Sequence, residues 1–434
     1  MPATSRPAAD PVRVARWGLF VLTLVNTFNY LDRQVLAALF ESLKHSELHL
    51  SDAQLGLLAT AFLVVYMLTS PVFGTLGDRG NRPRLIGIGV AIWSVATALG
   101  GFAVNFASLF AARSAVGVGE AAYGSVSPAL LADYFPLEKR GRVFSIFFAA
   151  IPIGSAAGYM LGGLVDHYYG WRAAFFVAGV PGLLLAWMTS RLLDPPRGVQ
   201  DGAVTPGAHA HGSMGKQALT AYLELLRNAP YVLTVLGYAA YTFGLGALAV
   251  WMPAFLERER GMPRTDATFQ FGAIIVVTGF LGTFLGGWLG DRLLKRFRES
   301  YLWVSGFSML VAVPFTWVAF TARERPVYLS AIVIAEVLVF ISTGPVNSAI
   351  VNVVEPDRRA TAVALSILAI HLLGDVPSPP LIGIVSDHTS LGHAMLILPF
   401  AFAASGLIWV FAAWRGERGQ RGERAPVLQG GEES

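Results

Sequence analysis

Of 434 residues, 54% are hydrophobic and only 14% are charged, against about 45–50% and about 25% in ordinary globular domains. Cysteine is absent, which excludes disulfides and thiolate metal sites. The formal charge of +4 comes from basic residues spread through short loops rather than gathered in a patch, so nucleic acid is not an expected partner.

Residues 1–14 form a short polar arm that leads straight into an apolar run; the first span is expected to act as its own uncleaved insertion signal. Runs such as Trp17–Leu31 and Leu55–Leu76 carry no charge. An apolar stretch of roughly 18 residues or more crosses a bilayer as a helix. Twelve such spans are predicted, at 15–41, 52–77, 84–104, 107–132, 140–165, 171–193, 231–256, 269–290, 300–321, 326–352, 358–386 and 391–414. The fold class is therefore an all-α membrane protein, with an N-terminal six-helix bundle over 15–193 and a C-terminal one over 231–414.

Residues 194–230 form the longest linker. Its first part is rich in Gly, Ala and Pro, as flexible linkers are. Its two histidines, His209 and His211, are more readily read as solvated than as metal ligands. Further on, Leu219, Tyr222, Leu223 and Leu226 fall at helical spacing, which predicts a short amphipathic helix over Lys216–Asn228 on the membrane surface. The tail, 415–434, is polar and expected to be disordered.

Orientation follows from the basic residues. With both termini cytoplasmic, 23 of the 32 Lys and Arg lie in inner segments, seven lie in outer loops, and Arg33 and Arg113 lie within spans. This bias obeys the positive-inside rule and predicts that both termini are cytoplasmic; the expected location is a bacterial cytoplasmic (inner) membrane.

The second span ends in Gly74-Thr-Leu-Gly-Asp78-Arg79-Gly-Asn-Arg82, and the eighth ends in Gly286-Gly-Trp-Leu-Gly-Asp291-Arg292. Gly-Asp-Arg thus recurs six spans apart, with Asp78 and Asp291 in equivalent places. Two parallel six-span repeats are the architecture of major facilitator transporters. The loop Gly74-x-x-x-Asp78-Arg79-x-x-Arg82 resembles the signature loop of that superfamily, with Asn81 in place of the usual Gly. The resemblance implies that Asp78 interacts with the end of the eleventh span. It also implies that Arg82 pairs with the acid closing the fourth, Asp133, and that this set, with Gly74 and Asp291, gates the inner side. The plainer alternative is that these charges only set topology.

Asp32 and Arg33 in the first span, and Arg113 and Glu120 in the fourth, sit inside apolar runs. Each charge at a helix centre costs about 2.5–3.5 kcal/mol, so four unpaired ones would cost on the order of 10–14 kcal/mol. Arg113 and Glu120 are seven residues apart and share a helix face about 10.5 Å along the axis, too far for direct pairing. Gly117 and Gly119 between them allow close approach of another helix or a ligand. Asp32 and Arg33, about 100° apart, should meet different partners. The four charges sum to zero, which permits pairing between the two spans. A neutral cluster that only pins the bundle is the bland reading. The sharper one assigns proton coupling to Asp32 and Glu120, because a carboxyl that moves between apolar surroundings and an arginine takes up and releases a proton. Arg33 and Arg113 then serve to hold an anionic headgroup.

In the second half, Glu336 in the tenth span, and His371 and Asp375 in the eleventh, are also embedded. Pro377, Pro379 and Pro380 interrupt the eleventh span, as in the broken helices that face transporter substrates. Glu336 and His371 are candidate substrate contacts. Tyr238, Tyr241, Phe243 and Trp251 are candidates for lining an apolar tail pocket, although aromatics of a membrane helix more commonly face lipid.

Several stretches together resemble the spinster family of lipid transporters. They are Asn29-Tyr-Leu-Asp-Arg33, Arg113-Ser-Ala-Val-Gly-Val-Gly-Glu120, Ala360-Thr-Ala-Val-Ala-Leu365 and His371-Leu-Leu-Gly-Asp375, and they reach across both halves. Val376 and Pro377 depart from the small pair expected there. The resemblance implies proton-coupled export of sphingosine-1-phosphate or a lysophospholipid by alternating access, with Asp32, Arg33 and Glu120 in the protonation and substrate-binding positions. No cofactor is expected beyond the proton as coupling ion, and the expected state is a monomer among membrane lipids. Efflux of drugs, sugars or organic anions on the same fold is the alternative, and a non-transporting scaffold or receptor is a third reading. No nucleophile–base motif, phosphate-cradling loop or metal-ligand cluster suggests an enzyme.

Overall fold

The structure, a computed structural model, describes residues 10–201, 223–354 and 359–423; side chains at 78, 137, 138, 141, 201, 351, 359–361 and 419–423 are outside that description. Among the described residues all regular structure is helical. In chain order the long helices are α1 (Pro11–Ala38), α2 (Asp52–Arg79), α3 (Arg82–Gly100), α4 (Phe106–Tyr134), α5 (Leu137–Tyr169) and α6 (Trp171–Ser190). They continue as α7 (Ala229–Arg258), α8 (Arg264–Leu294), α9 (Ser300–Thr321), α10 (Arg325–Ile341 running on as Thr343–Asn352), α11 (Arg359–Ile370, a π turn at His371–Asp375, then Ser378–His388) and α12 (Ile397–Glu423).

Local chemistry explains the ends. Asp10 accepts from the amide of Val12, with Pro11 in the first turn, so α1 starts four residues before the predicted span. Ser51 and Gln54 form a capping box at α2, and Asn81 caps α3. Among the described residues, ten of these twelve helices are long and apolar enough to cross a membrane. The other two, α1 and α4, have ample length at 28 and 29 residues; they carry Asp32 and Arg33, and Arg113 and Glu120.

Two expectations change. The tail does not leave helical structure at 415: α12 continues to Glu423, with the Arg418 guanidinium stacked 4.0 Å from the Trp414 ring and Glu417 accepting from the Trp303 indole. Beyond 423 the tail lies outside the described residues, as do the arm at 1–9 and the linker histidines. Of the predicted surface helix, only 223–227 is described and helical. There Leu223 and Leu226 are exposed, and the buried residue is Leu225, which packs with Tyr231.

Contacts divide the chain into two compact units. The first holds 10–201 together with Ala247–Val277 and Val376–Met395; the second holds 223–246, Thr278–Asp375 and the residues from Leu396 on. In the first, α1 packs on α5, α2 on α4, and α3 on both α4 and α6. In the second, α9 packs on α10 and α12, which repeats the pattern of α3 with α4 and α6. The unit boundary does not follow the linker. Parts of α7, α8 and α11 belong with the first unit, for reasons given by the ion pairs below.

Candidate functional site

The four embedded charges meet in crossed pairs between α1 and α4. Arg33 donates from Nε and Nη2 to Glu120 Oε2 at 2.9 and 2.6 Å. Arg113 Nη1 lies 3.4 Å from both oxygens of Asp32. Consecutive residues on α1 thus do point to different partners, and the seven-residue gap on α4 is bridged by the neighbouring helix. Asp32, Arg113 and Glu120 are 2%, 1% and 1% exposed, so none faces the surroundings; the Arg33 side chain keeps 22%.

The pairing leaves capacity over. Arg113 Nε, Arg113 Nη2 and Glu120 Oε1 are buried with no hydrogen-bond partner among the described residues. Aromatic faces surround the guanidinium groups. Arg33 lies 5.0, 4.9 and 5.9 Å from the rings of Tyr30, Phe62 and Tyr66, and Arg113 lies 5.6 Å from Phe62. The two glycines between Arg113 and Glu120 serve helix packing. A Cβ at Gly117 would meet Phe62 O at 2.2 Å, and one at Gly119 would meet Gly89 O at 2.4 Å, so α2 and α3 press directly on the α4 backbone.

In the second unit the candidate residues are not drawn into one cluster. His371 Nδ1 lies 2.9 and 3.0 Å from the two Asp375 oxygens, within the π turn of α11. Such turns recur at functional sites. Glu336 is 2% exposed, and neither of its oxygens has a hydrogen-bond partner among the described residues. It is therefore not bonded to His371. The aromatics divide. Tyr241 is buried and its hydroxyl lies 3.1 Å from Thr343 Oγ1, while Tyr238 is half-buried near Asn347. Trp251, in the first unit, is fully buried and donates to Pro379 O at 3.1 Å. Neither Tyr241 nor Trp251 is a lipid-facing aromatic.

The signature loop is organised around Arg82, which is buried. It pairs with Asp133 as the resemblance implied, and also with Asp194 through Nε at 2.8 Å and its own amide at 3.0 Å. Nη2 reaches Pro195 O at 2.7 Å, and Asp133 accepts from the Gly198 amide at 3.0 Å. Asp194, the first residue of the predicted linker, thus shares Arg82 with Asp133. The Asp78 side chain and the start of α11 fall outside the described residues. A Cβ at Gly74 would meet nothing within 4 Å, whereas one at Gly77 would meet Val126 Cγ2 at 2.7 Å. Tight packing in this loop therefore rests on Gly77. In the second unit, Asp291 is exposed and accepts from the Tyr301 hydroxyl at 2.9 Å.

A further polar cluster escaped the sequence reading. It lies in the first unit, at the end of the spans assigned to the outside. Arg258 of α7 bonds Glu41 at 2.5 Å and Asp52 at 2.6 Å, and Asp52 also accepts from Lys44 at 2.8 Å and Ser386 at 2.6 Å. Asp387 of α11 accepts from the amides of Asp52 and Ala53 at 2.8 and 2.9 Å, which caps α2. Arg264 of α8 bonds Asp166 of α5 at 2.7 Å and Glu257 at 3.0 Å, and Ser42 donates to Asp166. Helices pack closely beside each acid: a Cβ at Gly163 would meet the Thr268 side chain at Oγ1, 2.1 Å away, and one at Gly383 would meet the backbone of Asp52 at its O, 2.2 Å away. The end of α5 is thus clasped to the start of α8, and the end of α11 to the start of α2. A sequence signal existed: Gly163-Leu-Val-Asp166-His167 is echoed by Gly383-Ile-Val-Ser-Asp387-His388.

Comparison with known proteins identifies the family and the fold. Residues 22–374 match the family model described as Major Facilitator Superfamily. Protein spinster of Drosophila melanogaster is 33% identical over 380 residues, which cover 85% of this chain but 61% of the fly protein, less than two thirds of its length. The sphingosine-1-phosphate transporter SPNS2 of Danio rerio is 32% identical over 428 residues, covering 91% of this chain and 83% of that one. A crystal structure of a bacterial homolog to the human lysosomal transporter spinster, in an inward-facing and unoccupied conformation, aligns with a TM-score of 0.78 at 25% identity, covering 98% of this chain and all of that one. The chain belongs to the major facilitator superfamily and, within it, to the spinster family.

Proposed function

We propose that the protein is a secondary active transporter that works by alternating access, exporting an amphiphilic, lipid-like anion in exchange for protons. The observation that carries this reading is the pair of crossed bridges, Arg33–Glu120 and Arg113–Asp32, buried between α1 and α4 with donor and acceptor atoms left over. An anionic headgroup and Glu120 compete for Arg33. On the inner side Glu120 gives up its proton and the headgroup displaces it from Arg33; on the outer side the headgroup leaves, Glu120 takes up a proton and carries it inward, so that proton and substrate load alternately. At a potential of roughly 150 mV, each proton that enters supplies about 3.5 kcal/mol. Family membership supports transport. The name of the Danio rerio relative supports a substrate like sphingosine-1-phosphate, and a lysophospholipid is the related choice. The charge bias supports a cytoplasmic-membrane protein with both termini inside, and the expected state is a monomer.

The test is reconstitution in liposomes with a panel of lysophospholipids and sphingosine-1-phosphate, with and without an imposed pH gradient. Uptake that responds to the gradient in the wild type and loses that response in Asp32→Asn and Glu120→Gln is expected. Gradient-independent flux, or coupled flux unchanged by both substitutions, refutes the mechanism. Drugs and sugars in the same panel distinguish the alternative substrate classes.

A further inference from the structure

Away from the charged cluster, α3 and α6 frame an open groove of about 660 Å³ lined by Arg84, Ile88, Ala91, Leu183, Trp187 and Arg191. It lies where α3 leaves the signature loop and α6 enters the linker, the end that the charge bias assigns to the inner side. Its wall is apolar, with Ile88, Leu183 and Trp187 exposed. Its rim carries two exposed arginines. Arg191 lies 5.6 Å from the Trp187 ring, and neither Arg84 nor Arg191 forms an ion pair with a carboxylate among the described residues. The floor is shallow, because α3 and α6 touch at Gly87, where a Cβ would meet Ala186 O at 2.9 Å.

We infer that this groove is a binding site for an anionic phospholipid of the inner leaflet, separate from the transported substrate. The phosphate accepts from Arg84 and Arg191 and an acyl chain lies along Ile88, Ala91 and Leu183. Apolar surface below and unneutralised guanidinium groups above match the two parts of such a lipid, and basic pockets between spans on the inner side recognise such headgroups. The second unit supplies a contrast. A cavity of about 740 Å³ near the ends of α9 and α12 is lined by Arg298 and Arg415 but also by Glu299. That carboxylate opposes an anion, so the site is assigned only between α3 and α6.

The experiment uses the full chain in detergent, with retention of phosphatidylglycerol or cardiolipin measured by native mass spectrometry against phosphatidylcholine. The wild type should prefer the anionic lipids. Arg84→Gln/Arg191→Gln should lower that preference roughly tenfold, while Arg298→Gln/Arg415→Gln leaves it nearly intact. Equal losses in the two double variants, or no loss in either, overturn the assignment. Millimolar inorganic phosphate that displaces nothing is expected; phosphate that replaces the lipid one for one marks a simple anion site and also overturns it. A photoreactive phosphatidylglycerol provides a readout on the unsubstituted protein. Its crosslinks should map to 84–91 and 183–191, and crosslinks confined to other segments refute the proposal. Because transport of substrate is not measured, the outcome is independent of the proposed function.

Discussion

Arg33 places both of its hydrogen bonds to Glu120 on one carboxylate oxygen, Oε2, and the other oxygen, Oε1, is buried without a partner. The pair is therefore held from one side only. Removing one member of a buried pair strands the other charge and typically costs about 3–5 kcal/mol, whereas replacing both with apolar groups is often neutral. Glu120→Gln should lower thermal stability in detergent by about 3 kcal/mol, the low end because Arg33 keeps some solvent contact. Arg33→Met/Glu120→Leu should recover most of that loss while remaining inactive. A double variant less stable than the single one would show that the pair itself holds the helices together.

The two glycine classes in α2 and α4 predict opposite outcomes. Gly117→Ala drives a methyl group into the Phe62 carbonyl and should destabilise by about 1–3 kcal/mol. Gly74→Ala meets nothing and removes a helix-weakening residue, so stability should hold or rise by up to about 1 kcal/mol. Melting curves of the two variants settle the comparison. If Gly74→Ala nonetheless abolishes flux, the glycine acts in a conformation other than this one.

Arg82 serves Asp133, Asp194 and the Pro195 carbonyl from one planar group. Lysine offers a single point charge and cannot reach all three. Arg82→Lys should cost about 2 kcal/mol, in the range of lost charged hydrogen bonds. It should also increase protease cleavage at 195–201. Unchanged cleavage would mean that the linker's first turn is held by other contacts.

Arg258→Ala should leave the buried carboxylates of Glu41 and Asp52 short of their main partner, at a cost of about 3–5 kcal/mol. The chain has no cysteine, so a single introduced one reports without background. In an Ala53→Cys protein, Arg258→Ala should speed thiol labelling at least about tenfold, following the lost coupling energy. An unaltered labelling rate would show that Asp387 and Ser386 alone keep α2 and α11 together.

Much of this was written plainly in the chain. Hydrophobic runs gave the spans, and α1 and α4 stood out because Asp32, Arg33, Arg113 and Glu120 are costly in an apolar run. Helical rise was enough to forbid direct Arg113–Glu120 pairing, and helical phase to allow the crossed pairs. The clasp of Arg258, Asp52, Asp166 and Arg264 was not legible in the same way. Each residue sits at a span end, where a charge costs little, and its partners are a hundred or two hundred residues away. The pairing of Asp194 with Arg82 was hidden for the same reason, since an acid after a span looks like any loop acid. The repeated Asp-His at 166 and 387 was the one available clue, and it becomes informative only when the halves are aligned.

Along α11 a buried seam runs in steps of four through Ala362, Ser366, Ile370, Gly374, Ser378, Ile382 and Ser386, with Pro379 and Gly383 buried beside its second half. An ideal helix turns about 400° in four residues, so such a stripe would creep about 240° round the axis over this length. The one extra residue in the His371–Asp375 turn returns about 100° of that. The seam therefore spirals by little more than a third of a revolution, so that the segments of α11 on either side of the turn at Val376 and Pro377 present it to two different sets of neighbours.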